Sequence, residues 1–340
     1  MRTIAWEDGV VVTIDQSKLP NKVVWLKMRT AEEVAEAVKN MKIRGAPLIG
    51  VAVGYALALT AYNTKAVTKE KLLEEIEEAA KILKATRPTA VNLFWAVNRI
   101  LRKAKTKGTS AKETAELVVG EAQMIADEDA QACRRIGVHG SELLENGDVI
   151  LTHCNAGSIA TVEYGTALGV IRMAWKQGKK IKVVATETRP KLQGARLTTY
   201  ELHRDRIPVT LIADGMVGYV ISKGLVDKVI VGADRIVKDA VINKIGTYTI
   251  AVVAHEHNIP FYVAAPKSTF DLFNKAENVV IEEREQSEVT HFMSRPIAPK
   301  GVKALNPAFD ITPLRYVTAI ISEEGIITQR EFRAWSGRSN

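Results

Sequence analysis

Cys154 and Asp234 are the side chains of this sequence best placed to move a proton. Cys154 lies in Leu151-Thr152-His153-Cys154-Asn155-Ala156-Gly157, and Asp234 in Val231-Gly232-Ala233-Asp234-Arg235. Each closes an apolar, β-branched run and opens onto a turn. In an open parallel α/β sheet that position faces the crevice where ligands bind. A thiol and a carboxyl meeting there point to proton or hydride movement on a small substrate.

Each group also has a plainer reading. Free cysteine is commonly a small buried hydrophobe, and that reading suits Cys133 on its amphipathic helix. After Cys154, Asn155-Ala156-Gly157 and a helix expected from near Ser158 would offer backbone N–H groups, which lower a thiol pKa. His153 is adjacent, but neighbouring strand residues point to opposite faces, so no Cys–His dyad is assigned. Asp234 reads either as an Asx-turn residue or as a buried carboxyl that keeps its proton near neutrality. An inward-pointing Arg235 would oppose the second reading.

Four further strings carry polar chemistry. Arg44-Gly45-Ala46-Pro47 sets a cation and the N–H groups of Gly45 and Ala46 just ahead of a helix, a combination that binds anions. Arg87-Pro88-Thr89 places a second cation at a helix break. Gln193-Gly194 follows Thr186-Glu187-Thr188-Arg189-Pro190 and could hydrogen-bond sugar hydroxyls. Asn243-Lys244 reads as the start of the next helix. Lys244 there is either a phosphate or hydroxyl contact or, as sequence alone favours, a solvated surface lysine.

The elements that would position these groups are legible as patterns. Residues 1–30 read as short strands with turns at Glu7-Asp8-Gly9 and near Pro20-Asn21. From Thr30 to about Val138 the pattern is helical, opened by the capping box Thr30-Ala31-Glu32-Glu33, with Pro47 suited to a first helical turn. After Asn146-Gly147 apolar strands are expected at 149–153, 181–186, 209–213, 228–232 and 261–264. Helices are expected over about 158–176, 192–204, 216–223 and 245–257. This alternation means a parallel sheet with helices on its faces. The boundary falls at about 125–145, giving a division into 1–135 and 136–340. Polar groups recur at the strand ends: Cys154, Glu187-Thr188-Arg189, Asp214, Asp234 and Lys267-Ser268.

Composition narrows the function class. The chain has 340 residues, is 46% hydrophobic and 25% charged, and its 47 Lys+Arg against 39 Asp+Glu give a formal charge of +8. Basic excess fits a phosphorylated small molecule, or simply a basic surface. No dense Lys/Arg stripe interleaved with aromatics favours nucleic acid. The two cysteines form no CxxC, which fits a reducing compartment. No signal-peptide core follows the first residues. The longest apolar stretch, 46–61, is shorter than the roughly 20 residues of a membrane span and reads as a buried helix. A soluble, cytoplasmic protein without membrane partners is expected. GxGxxG, GxxxxGKS and GxxxxGKT are absent, which argues against dinucleotide and P-loop sites, and there is no serine-hydrolase elbow. His255-Glu256-His257 is not read as a metal site, because helical residues two apart do not share a face.

Taken in order, the strings resemble the S-methyl-5-thioribose-1-phosphate isomerase family of methionine salvage. The resemblance runs through Arg44–Pro47, Thr152–Gly157, Glu187–Pro190, Gln193–Thr198, Gly232–Arg235, Asn243–Tyr248, Pro266–Asp271 and Asn306–Asp310. It implies an aldose 1-phosphate isomerised to its ketose 1-phosphate without metal or cofactor. It implies catalysis by Cys154 and Asp234. It implies substrate contacts from Arg44, Gly45, Ala46, Arg87, Gln193, Asn243 and Lys244. The implied fold is α/β, a Rossmann-like parallel-sheet domain with a smaller N-terminal domain of short strands and helices, usually as a homodimer. The same superfamily holds isomerases of ribose 1,5-bisphosphate and 5-deoxyribose 1-phosphate, and non-enzymatic regulatory subunits of translation initiation. Thr186 and Lys191 stand where bacterial relatives more often carry Asp and Tyr, which bears on substrate choice.

Overall fold

A computed structural model describes residues 2–87, 89–292 and 295–336. Pro88 of the Arg87-Pro88-Thr89 string lies outside the described residues. The chain begins with a three-stranded antiparallel sheet of β1 (Ile4–Trp6), β2 (Val11–Ile14) and β3 (Trp25–Met28). Helices follow: α1 (Ala31–Lys39), α2 (Ala46–Tyr62), α3 (Lys69–Thr86), α4 (Val91–Thr106) and α5 (Ala111–Ser141). Thr30 caps α1 through the expected box, and Pro47 sits in the first turn of α2. α2 carries no charged residue and is buried on nearly every face, so the other helices of the bundle pack around it.

The second half alternates β4 (Val149–Thr152), α6 (Ala167–Lys176), β5 (Lys182–Thr186), α7 (Thr199–Arg204), β6 (Val209–Ile212), α8 (Val217–Ser222) and β7 (Lys228–Val231). After it come β8 (Arg235–Val237), β9 (Ala240–Lys244), α9 (Thr247–Glu256), β10 (Phe261–Ala264) and β11 (Phe270–Asp271). The chain closes with α10 (Ser287–Thr290), the short pair β12 (His291–Phe292) and β13 (Arg295–Pro296), then β14 (Phe309–Pro313), β15 (Ala319–Ser322), β16 (Gly325–Thr328) and α11 (Gln329–Ser336). The main sheet has seven strands in the order β16-β15-β10-β7-β4-β5-β6. All neighbours are parallel except β16, which runs antiparallel to β15. At its centre Leu151 lies opposite Val184 on one side and Val229 on the other. Both faces of such a strand are covered, which explains the continuous apolar runs read from the sequence. This is the expected α/β fold.

Two expectations are corrected. The helix expected from Ser158 is only a single 3₁₀ turn, Ser158–Ala160, and α6 starts at Ala167. Asn243-Lys244 does not open a helix; it ends β9. β9 pairs with β8 and β14 in a second, four-stranded sheet, β11-β8-β9-β14, that the sequence reading did not foresee. α5 runs unbroken through residue 135. The apolar clusters do change over inside it: Ala130 belongs with the N-terminal bundle and Ile136 with the main sheet. On that change we propose the division 1–135 and 136–340. Among the described residues no helix is long and apolar enough to cross a membrane.

Candidate active site

The carboxyl ends of β4 and β7 open onto one cleft, lined by Cys154 and Asp234 together with Arg44, Gly45, Ala46, Arg87, Gln193, Asn243 and Lys244. Every residue singled out for a site is thus in one place. Glycines make the approach possible. A Cβ on Gly232 would stand 2.7 Å from the Ala156 side chain, so its absence lets the turn after β7 close on the turn after β4. Gly45 has φ +99 and caps α2, and a Cβ there would lie 2.5 Å from the Ala160 carbonyl oxygen. The N-terminus of α2 therefore abuts the turn that follows Cys154. Its free N–H groups and Arg44 face the same space, the arrangement that attracts an anion.

Cys154 leaves β4 in a left-handed conformation, φ 62. Two threonines hold it. Its N–H donates to Thr188 Oγ1 at 2.9 Å, and its carbonyl accepts from Thr198 Oγ1 at 2.6 Å. Thr188 is itself fixed by Asp214, whose carboxylate accepts from the N–H groups of Thr188 and Arg189, each at 2.7 Å. Burial pushes the thiol above its ordinary range, and nearby Asp234 adds to this, while Arg44, Lys244 and the Asn155 N–H pull the other way. Burial wins, so the expected helix-start stabilisation of a thiolate does not govern this site.

His153 points away from the cysteine's role. Burial lowers its pKa to about 4, so the ring is neutral. Nε2 lies 2.9 Å from the Ile245 carbonyl and Nδ1 2.6 Å from Thr186 Oγ1. The carbonyl can only accept, so Nε2 carries the proton and Nδ1 accepts from Thr186. His153 is a strut between β4, β5 and the turn before α9.

Among the described residues the Asp234 side chain makes no hydrogen bond; its N–H donates to the Ile242 carbonyl at 3.0 Å. Burial raises its carboxyl to about 6, although Arg87, Arg44 and Lys244 draw it down. Those cations are themselves held from behind. Arg44 donates from Nε to Gln16 at 3.0 Å and clasps both the carbonyl and the side chain of Asn155. Arg87 pairs with Glu282 at 3.0 Å. Lys244 is only 5% exposed and donates to the Ala308 carbonyl at 3.2 Å, which overturns the surface-lysine reading. Burial lowers its pKa, against the pull of Cys154 and Asp234. Gln193 is buried with Oε1 unpartnered in the cleft wall, an acceptor available to a hydroxyl. The Asn243 amide donates to Thr247 Oγ1 at 3.0 Å.

With the geometry assembled, the comparisons with known proteins fall into place. The model of the Initiation factor 2 subunit family matches residues 42–329. The chain belongs to that family. A methylthioribose-1-phosphate isomerase of Geotalea uraniireducens (strain Rf4) is 51% identical over 99% of this chain and 99% of its own. A 5-deoxyribose 1-phosphate isomerase of Moorella thermoacetica is 52% identical over 95% of this chain and 93% of its own. The crystal structure of 5-methylthioribose 1-phosphate isomerase from Pyrococcus horikoshii OT3 is 47% identical, covers 100% of this chain and 96% of its own, and superposes with a TM-score of 0.91.

Several cleft residues of this family member escaped sequence reading. Arg284 reaches the rim from the segment before α10, where it pairs with Glu282 at 2.9 Å and Glu288 at 2.7 Å. Lys191, which the sequence does single out for substrate choice, joins the same cluster, 3.2 Å from Glu288. Met41, Ile49 and Phe309 add an apolar wall. Arg284 has no local pattern, because a charged residue in irregular chain reads as solvated loop. Among the described residues no three His, Cys, Asp or Glu side chains gather to hold a metal ion; His255 instead meets the Tyr316 ring edge-on at 5.3 Å.

Proposed function

We propose that this protein isomerises S-methyl-5-thio-α-D-ribose 1-phosphate to S-methyl-5-thio-D-ribulose 1-phosphate, a step of methionine salvage. One observation carries the reading: a thiol and a proton-holding carboxyl share a cleft with Arg44, Arg87 and Lys244. A sugar phosphorylated at its anomeric carbon has no free aldehyde, so its ring must open. Asp234 gives its proton to the ring oxygen as the C1–O bond breaks. The C2 hydrogen then moves to C1, directly as hydride or as a proton by way of Cys154. The 2-hydroxyl loses its proton as the C2 carbonyl forms, and the proton count is restored. Arg44, Gly45, Ala46, Arg87, Asn243 and Lys244 bind the phosphate and hydroxyls, and Gln193 accepts from a hydroxyl. The acid and base are supplied by the chain, so the proposed reaction calls for no metal or cofactor.

An apolar extension supports the thiomethyl substrate. Beside Asp234 the cleft continues past Ile49 and Phe309 into a smaller space walled by Ala90, Ile242, Val279 and Ile281. A thiomethyl or methyl group gains burial there, about 0.8 kcal/mol per methylene-sized unit. That wall also admits 5-deoxyribose 1-phosphate, and Arg87 and Arg235, which border the same space, are cations that a second phosphate could meet. A non-enzymatic regulatory role is the remaining alternative, and both Cys154 and Asp234 being present speaks against it. A homodimer is proposed on the family resemblance alone, and cytoplasmic location follows from the metabolic role.

Steady-state kcat/KM for the thiomethyl, 5-deoxy and 5-phospho sugars tests the proposal. The thiomethyl sugar is expected to lead the 5-deoxy sugar by about 10-fold or more, the discrimination one buried group provides. Preference for either competitor displaces the substrate assignment. Absence of turnover on all of them removes the isomerase reading.

A further inference from the structure

Behind the cleft sits a carboxylate that the mechanism above does not use. Glu201 of α7 is 0% exposed. Its Oε2 accepts from the Ser158 N–H at 2.7 Å, from Ser158 Oγ at 2.6 Å and from Arg172 Nη2 at 2.7 Å. Its Oε1 accepts from Asn155 Nδ2 at 2.9 Å. Burial opposes this charge, but Arg172 and the hydrogen bonds outweigh it and hold the carboxyl below its ordinary range. Arg172 is anchored in turn by Asp205 at 2.5 Å and the Tyr164 carbonyl at 2.5 Å. Space is reserved for the group: a Cβ on Gly157 would lie 2.2 Å from Glu201 Oε1.

We infer that Glu201 is a positioning residue that sets the orientation of the Asn155 amide and, through it, aims the Arg44 guanidinium into the cleft. The reasoning is one of donors and acceptors. An ionised carboxylate only accepts, so Asn155 must turn its NH₂ toward Glu201. Its Oδ1 then faces Arg44, which donates to it and to the Asn155 carbonyl, the latter at 3.2 and 3.3 Å. Asn155 follows Cys154 directly, and Thr198 Oγ1 ties the two by accepting from Asn155 Nδ2 at 3.3 Å and donating to the Cys154 carbonyl. A neutral amide at 201 presents a donor where an acceptor is needed. Asn155 then flips, and its NH₂ opposes the guanidinium. The inference rests on the reading that Arg44 contacts the substrate phosphate.

The test is a double-mutant cycle on the full-length protein, read by kcat/KM on the sugar phosphate and by the Kd of inorganic phosphate from calorimetry. Glu201→Gln is expected to lower kcat/KM by about 10-fold or more, the scale of a lost charged hydrogen bond, and to weaken phosphate binding. In an Arg44→Ala background the same substitution is expected to change either quantity by less than about 3-fold, because coupled residues are not additive. Asn155→Ala leaves Glu201 its Ser158 and Arg172 partners and removes the amide that joins Glu201 to Arg44, together with its hydrogen bond to Thr198. It is expected to behave as Glu201→Gln does, and it decides the matter if Glu201→Gln does not fold. Losses that multiply with that of Arg44→Ala, or a Glu201→Gln protein equal to the parent, overturn the inference. A parent protein that turns over no sugar phosphate overturns the isomerase reading instead, and the phosphate Kd values still judge Glu201.

Discussion

The dependence of rate on pH puts Asp234 to a quantitative test. Burial lifts its carboxyl to about 6. At pH 7 about a tenth of the molecules then hold the proton, and at pH 8 about a hundredth. If the acid form alone limits the reaction, kcat/KM falls about tenfold for each pH unit above about 6. A bound phosphate neutralises Arg44, Arg87 and Lys244, the groups that draw the carboxyl down. The carboxyl of the complex therefore titrates higher, and the fall in kcat starts at higher pH than the fall in kcat/KM. Burial also raises the Cys154 thiol above 9.0. A mechanism that needs the thiolate as well gains on one group what it loses on the other, and its profile stays level until the thiol titrates. The raised thiol favours the hydride route, so a falling limb is expected, and turnover in deuterated water is expected to leave C1 unlabelled. Asp234→Asn is expected to lower kcat by about 10²- to 10⁴-fold. It retains the substrate's own phosphate titration, so the ratio of the two profiles isolates Asp234. A rate that rises with pH through about 6, or an Asp234→Asn variant within about threefold of the parent, refutes the assignment. Stability moves in the same direction as the expected rate. Asp234 and Asp310 each titrate near about 6 in the fold against 3.8 for the ordinary group. The folded state binds these protons more tightly, so stability falls as pH rises from 3.8 to about 6 and levels off above it.

Two further expectations concern packing and assembly. Gly194→Ala would set a Cβ 1.8 Å from the Thr186 carbonyl oxygen at the end of β5, so chemical denaturation should report a loss above about 3 kcal/mol. Gly120→Ala in α5, with nothing within 4 Å of the added carbon, should instead gain about 0.5–1 kcal/mol; equal effects at both sites would contradict the packing argument. Light scattering of the parent protein is expected to report a dimer, and a monomer ends the dimer proposal.

Sequence reading found the elements whose signal is local. β4, β5, β6, β7 and β10 are expected within a residue or so because each is a short apolar run, and all but the edge strand β6 are covered on both faces. The first-turn proline of α2 and the Thr30 box announced themselves for the same reason. β9 and β14 did not, since each satisfies its backbone across a long stretch of chain, from Lys244 opposite Phe309 to Ala240 opposite Pro313. β15 carries a readable apolar run, Ala319–Ser322, but joins the sheet beside β10 without the strand–helix alternation that marks the other strands. The cleft residues were visible as strand ends and helix starts. What was hidden was burial. Lys244 looks solvated until β14 covers it, and Glu201 and Arg172 look like the polar face of surface helices until each neutralises the other. The thiol's titration depended on burial too, which outweighs the neighbouring charges and could not be weighed from spacing.

The seam between Gly45 and Ala160 has a mechanical consequence. Arg44 and the start of α2 belong to the helical bundle, while Cys154 and Asp234 belong to the main sheet, so any anion held by the first and processed by the second bridges two separately packed cores. Ligand occupancy then works as a rivet: at a hundred times its dissociation constant it adds about 2.7 kcal/mol against unfolding, and it resists the parting of the two bodies before either core is disturbed. Catalytic competence and rigidity of the whole chain are thereby tied to the same few ångströms of backbone contact.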